Sequence, residues 1–192
     1  MNRRLMMVLG LLFTAMLALA CGPSWQVVTQ AVPNPMAGKN GFSVLPIDFT
    51  GLRVGDKTEG EWMGGKDQDS RASWEGDKKA MNEKFQANLI SHAGGEGIQV
   101  IPGPAQSNFV VAAHITWVEP GVFTGFVNMP SEVEMTVKVT SGDGKPVDEI
   151  MLKVKYEASM YNASSGERFR NCAEELGSIV AKYLQTRVKP EA

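Results

Sequence analysis

Histidine and cysteine are scarce, with two of each in 192 residues. Once Cys21 is set aside, for reasons given below, only His92, His114 and Cys172 remain, too few for a Cys/His zinc site. No metal is therefore expected. A strong charge of one sign is also missing: the formal net charge is −2, which leaves no basic footprint for nucleic acid. No Gly-x-Ser-x-Gly elbow announces a nucleophilic serine, and no repeat of solenoid period is present. After the first 20 residues no uncharged apolar run approaches the roughly 20 residues that span a bilayer. What the chain does hold is 43% hydrophobic and 21% charged residues, the composition of a globular domain with a real core.

The start carries Arg3 and Arg4, then an uncharged apolar run from Leu5 to Ala20. That is the anatomy of a secretory signal, too short to stay as a membrane helix. Leu17-Ala18-Leu19-Ala20-Cys21 resembles the bacterial lipobox, with Ala18 where Leu is commoner. The resemblance implies a lipid on Cys21 as the only covalent group and no other cofactor. Acyl chains contribute about 0.8 kcal/mol per buried methylene, so several would anchor the chain permanently. Gly22 after the cysteine favours the outer membrane by likeness to lipoprotein sorting. The expected place is the periplasmic side of that membrane, with surface exposure left open. An acylated Cys21 leaves Cys172 without a disulfide partner despite an oxidising compartment.

The expected organisation is a signal over residues 1–20, a lipidated cysteine and flexible tether over 21–40, and one domain over 41–192. Pro23, Pro33, Pro35 and Gly38 punctuate the tether, where only Trp25 to Val28 can pack locally. Phe42 to Phe49 is the first strand, with Pro46 marking an edge or bulge. Thr50 to Ser70 reads as a loop, functional or mobile. A helix from about Ser73 or Asp77 to His92 has Trp74, Met81, Phe85 and Leu89 on one face and Gly94-Gly95 as its stop.

Strands follow at 97–101, 108–118, 132–140 and 147–157. Asp143-Gly144 is a type I′ turn signal, and a hairpin centred there sets Glu134 opposite Lys153, Glu132 opposite Lys155 and Lys138 opposite Glu149. The other face receives Met135 with Leu152, Val133 with Val154 and Val137 with Ile150. A closing helix from about Ser165 to Arg187 has Phe169, Cys172, Leu176, Ile179, Val180, Tyr183 and Leu184 in one stripe. The predicted fold is α+β, a two-layer sandwich of order β-α-β-β-β-β-α, its two helices covering one face of a mostly antiparallel sheet.

The search for chemistry ends without a catalytic residue. His92 at a helix end and His114 in mid-strand read as structural, and Cys172 as a small buried hydrophobe. Gly60 to Asp67 approaches a phosphate-binding loop, but Asp67 stands where a hydroxyl is required. Glu59, Glu61, Asp67 and Asp69 fit no calcium loop spacing, and Glu132 and Glu134 face lysines. One stretch stands out: Trp117 to Pro130 is turn-rich yet carries Val122, Phe123, Phe126, Val127 and Met129. Either these residues extend strands and cap the core, or Trp117, Phe123, Phe126 and Met129 form a docking site for a protein partner or the membrane surface.

With the lipobox, the element order, the Phe42 to Phe49 strand and the final helix in view, residues 41–188 resemble small outer-membrane lipoproteins. The domain is similar to the penicillin-binding-protein activator lipoproteins and to the periplasmic domain of the curli secretion channel. No long membrane-spanning hairpins are evident, so pore formation is not implied. The resemblance implies a protein that holds or activates envelope proteins rather than an enzyme. The expectation is a non-enzymatic, membrane-anchored accessory or assembly factor with an envelope protein as partner. The alternatives are an accessory subunit that binds lipid or another ligand for a transporter, and a hydrolase with a dispersed site.

Overall fold

The computed structural model describes residues 24–104 and 107–190; Cys21 and the rest of the expected signal lie outside them. Three strands of eleven residues carry the molecule: β6 (Phe109–Glu119), β9 (Ser131–Ser141) and β10 (Pro146–Tyr156). In each, alternate side chains are buried. Phe109, Val111, Ala113 and Ile115 on β6, Val133, Met135, Val137 and Val139 on β9, and Ile150, Leu152 and Val154 on β10 face one core. The intervening residues form the wetter face, as a period of two requires.

The expected register of β9 on β10 is observed in all six named pairs. The turn that closes it is different. Gly144 N–H donates to Ser141 O and only Gly144 has positive φ, so Gly142-Asp143-Gly144 is a three-residue loop with its last glycine left-handed. Such a loop alone would displace the pairing by one residue. An irregularity between Pro146 and Asp148 restores it, and the charge pairs and core pairs fall where the side chains require.

The fold is α+β with a mixed sheet. From β1 (Gln26–Gln30) through β10, β9 and β6 the neighbours are antiparallel; β2 (Gly41–Val44) then lies parallel to β6 and β5 (Gln99–Pro102) parallel to β2. Phe42 to Phe49 was expected as one strand. It stops at Val44, resumes as a single bridge between Asp48 and His114, and continues on the same edge of β6 as β3 (Arg53–Val54), which pairs with β4 (Lys57–Thr58). Pro46, without an N–H, interrupts the edge.

The expected loop over residues 50–70 thus contains two short strands and a helix, α1 (Glu59–Gly64), opened by a capping box between Thr58 and Glu61. The next helix, α2 (Gln68–Gly95), starts earlier than periodicity indicates, because the Asp67 carboxylate accepts the Ser70 N–H at 2.8 Å. Its buried residues include Trp74, Met81, Phe85 and Leu89, as expected, and every residue of the stripe expected on α3 (Ser165–Val188) is buried. The helices approach closely at Gly177, where a Cβ would lie 2.5 Å from Phe85 O.

The expected tether also differs. Gln26 pairs with Met151 and Gln30 with Asp148, so β1 is the sheet edge, and Trp25 meets Tyr183 edge-on at 5.5 Å. Beyond β1, Ala31 N–H donates to Asp148 at 2.9 Å, Asn34 to Arg187 O at 2.7 Å, and Met36 is fully buried. These residues are part of the domain.

Candidate docking surface

β6, β9 and β10 share one end, where Glu119 pairs with Glu132 and Ser131 with Tyr156. Two segments project from it, Pro120 to Pro130 and Glu157 to Ser164. The first is a small hairpin of β7 (Val122–Phe123) and β8 (Asn128–Met129). Gly125 at φ +82°, the Thr124 N–H donating to Val127 O and the Val127 N–H donating to Thr124 Oγ1 shape its two-residue turn, leaving Phe126 at the second central position. At the hairpin's base Gly121 sits at φ +63°, with a Cβ position only 2.3 Å from Pro130 O. No larger residue fits there.

The second segment turns at Ser159 to Asn162, with Asn162 N–H donating to Ser159 O and the Asn162 side-chain amide to Glu157 O at 3.0 Å. Its central residues are Met160 and Tyr161.

One side chain holds both segments. Arg168, 1% exposed, donates from Nε to Ser131 Oγ at 2.8 Å and from Nη2 to Pro120 O at 2.9 Å. Its Nη1 donates to Asn162 O at 3.0 Å and Ala163 O at 2.6 Å. Ser131 Oγ itself donates to Pro120 O at 2.6 Å. Burial works against the guanidinium charge and draws its pKa down from the ordinary value. Four oxygen acceptors offset that cost. Arg168 is not a signal that hydrophobic spacing displays, since its acceptors are mostly backbone carbonyls.

The result is a set of apolar side chains standing in water on fixed turns. Phe126 is 101% exposed, Tyr161 88% and Met160 77%, and Val122, Val127 and Met129 are also exposed. Of the expected docking residues, Phe126 and Met129 belong to this surface and Phe123 is half-buried. Trp117 does not join them. Its Nε1 donates to Gly55 O at 3.0 Å and Lys153 lies 4.9 Å above its ring, so it is engaged on the wet face of the sheet.

The other residues weighed from sequence have local duties. His114 Nε2 lies 2.8 Å from Thr50 O, which can only accept, so that nitrogen carries the proton. The ring borders a shallow hollow of about 320 Å³ with Asp48, Thr136, Lys138 and Glu149. Asp48 is turned toward Thr50, whose hydroxyl first and whose N–H, donating at 2.8 Å, second hold its carboxyl below the usual range. His92 is exposed in the last turn of α2. Glu61 and Asp67 serve as helix caps, and Glu59 accepts from Trp74 Nε1 at 2.6 Å and Lys78 Nζ at 2.8 Å. Lys153 reaches both Glu132 and Glu134 at 3.0 Å, while Lys155 turns to Glu157 at 3.3 Å. Among the described residues no group of three or more His, Cys, Asp or Glu side chains is placed to hold a metal ion.

Cys172 is fully buried and its thiol is pushed up to about 12, chiefly by loss of solvation. The reactive form is the thiolate. Native protein is therefore expected to give no adduct at Cys172 with an aromatic disulfide reagent at neutral pH and a full equivalent there after urea unfolding; stoichiometric native labelling would contradict this.

No protein-family model and no curated protein matches the chain. Solved structures that it resembles include a PelC dodecamer from Paraburkholderia phytofirmans, with TM-score 0.45, 8% identity, and coverage of 81% of this chain and 96% of that one. A hypothetical protein from Chlamydia trachomatis has TM-score 0.42 and 14% identity, with coverage of 76% and 98%.

Proposed function

We propose that the chain is a non-enzymatic lipoprotein of the bacterial outer membrane, facing the periplasm, that holds a protein partner in the cell envelope. On this reading Cys21 bears the lipid and the domain is an accessory or assembly factor, a role like that of the lipoproteins it resembles in sequence order. The observation that supports it most is the pairing of a lipobox with a first strand that begins at Gln26, five residues later, hydrogen-bonded into the sheet. A lipid so close to the fold would hold the domain against the bilayer at a fixed place. The exposed backbone edge of β1 is available to a partner strand, since Gln26 to Gln30 are all exposed.

The test is metabolic labelling with palmitate in a two-membrane bacterium. The wild-type chain is expected to take up label and to sediment with outer membranes, and Cys21→Ser to lose the label and leave the membrane fraction. A photo-crosslinker at Val28 should give a discrete adduct. A Cys21→Ser chain that still takes up palmitate, or a wild-type chain that never does, would overturn the reading.

A further inference from the structure

Apart from Glu157 at the start of the second, both segments held by Arg168 lack charge. No Asp, Glu, Lys, Arg or His occurs from Pro120 to Ser131 or from Ala158 to Gly166. Loops at an end of a sheet are ordinarily where a soluble domain places its charges. Here that end presents Phe126, Met160 and Tyr161 at the centres of two turns, with Val122, Val127 and Met129 beside them. A packed protein site also needs polar groups around its apolar centre to fix orientation. Within the turns the polar side chains of Thr124, Ser159 and Asn162 are used in the turns' own hydrogen bonds.

The direction of the chain start gives the second argument. β1 runs antiparallel to β10 with Gln26 opposite Met151 and Gln30 opposite Asp148, so upstream of Gln26 the chain heads toward Tyr156. Ser24 and Trp25 indeed border a hollow with Lys153 and Glu134. From Lys153 to the exit of β10 at Tyr156 is about 10 Å at a strand's rise per residue. Cys21 lies three residues before Ser24, and extended chain covers about 10 Å over that length. The attachment point can therefore reach the level of the uncharged turns, at the same end of the domain.

We infer that the end of the domain formed by Phe126, Met160 and Tyr161, with Val122, Val127 and Met129, enters the interface of the bilayer that carries the anchor. The inference takes the lipid on Cys21 from the proposed function and adds a second, side-chain contact beside it. Interfacial binding scales with the apolar area buried, and aromatic and Met side chains suit the boundary between headgroups and acyl chains. Glu119, Glu132 and Glu157 flank the turns together with Lys153 and Lys155, so no single sign of charge selects anionic lipid. Insertion is thus expected in purely zwitterionic membranes. With this end against lipid, the β1 edge is left for the protein partner.

The test uses the full chain, produced in bacteria and reconstituted in phosphatidylcholine vesicles, with one nitroxide at a time on Phe126→Cys, Tyr161→Cys or Asp143→Cys. Asp143 lies at the β9–β10 turn, at the opposite end of the strands, and Cys172 is buried away from the label. Labels at 126 and 161 are expected to collide more with dioxygen than with a water-soluble nickel chelate, the label at 143 the reverse. Adding phosphatidylglycerol should leave these depths unchanged. Labels at 126 and 161 that are as open to the chelate as 143 would overturn the inference. So would labels shielded from both reagents, which would assign the surface to a protein partner or a second copy. Palmitate on the same samples reads the anchor separately: a chain without it sinks the lipoprotein reading, while entry of the labels at 126 and 161 into added vesicles still decides the inference.

Discussion

Replacing Arg168 by alanine is expected to cost about 3–5 kcal/mol of stability, a large share of what a domain of this size possesses. The guanidinium is buried and donates to Ser131 Oγ and to the carbonyls of Pro120, Asn162 and Ala163. Alanine removes all four donated bonds at once and leaves the Asn162 and Ala163 carbonyls facing a void, while Pro120 O keeps only the Ser131 hydroxyl. An unsatisfied buried polar group costs roughly 1–3 kcal/mol, and partial entry of water keeps the total below a simple sum. Arg168→Lys retains the charge but has no planar fork, so it should recover less than half of the loss. Urea denaturation followed by far-UV circular dichroism measures both.

The effect also has an address. Hydrogen exchange in the alanine variant should quicken first across Pro120–Ser131 and Glu157–Ser164, while β9 and β10 near their turn stay protected. Because Phe126, Met160 and Tyr161 depend on Arg168 for their placement and not for their exposure, the same variant should leave them apolar and exposed but no longer fixed. A loss under about 1 kcal/mol would show that the two segments are held by other contacts.

The features legible in the sequence are those with long, regular patterns. The β9–β10 register follows from three apolar pairs and three charge pairs in one frame, and these outvoted the turn: a three-residue loop and a compensating irregularity at Pro146 give the pairing that a two-residue turn was expected to give. The stripe on α3 was equally plain, since Phe169 through Leu184 recur at helical spacing and all are buried. β1 had no such pattern. As an edge strand exposed along its length it shows no alternation, and its place depends on Asp148 and Tyr183, more than a hundred residues away.

The 50–70 region departs from the expected loop for a different reason. Strands of two residues are too short to show a period, but the caps were visible: Thr58 with Glu61, and Asp67 three residues before Ser70. At the candidate surface, the apolar residues of Pro120–Pro130 could be picked out by composition. Met160 and Tyr161 could not be joined to them, because that join is made by an arginine within an otherwise apolar helix face. Closeness in sequence joins Trp117 to Phe126, whereas an irregularity between Ile115 and Trp117 breaks the alternation of β6 and puts its ring on the wet face, opposite Glu134 and under Lys153.

Asp148→Ala is expected to cost about 3–5 kcal/mol by the removal of one partner from a buried ion pair. The Asp148 side chain is wholly buried and accepts from Arg187 Nε at 2.8 Å, from Ala31 N–H at 2.9 Å and from the Tyr183 hydroxyl. Arg187 also donates to Ala31 O at 3.1 Å. Alanine thus leaves a cation and a phenol in the interior and frees the chain where β1 leaves the sheet. Limited proteolysis should then cut between Ala31 and Gly41 in the variant and leave the same segment intact in the wild type. Tyr183 adds an alkaline signature, because burial first and the bond to Asp148 second push its phenol well above the ordinary value. The folded state keeps that proton while an unfolded tyrosine loses it near pH 10, so stability is lost as pH climbs above 10. Tyr183→Phe should flatten that slope. Since β1 carries both the proposed partner edge and the link to Cys21, an Asp148→Ala chain that folds should keep its lipid yet lose the Val28 crosslink. Retention of that crosslink would mean that β1 holds its place without the buried pair.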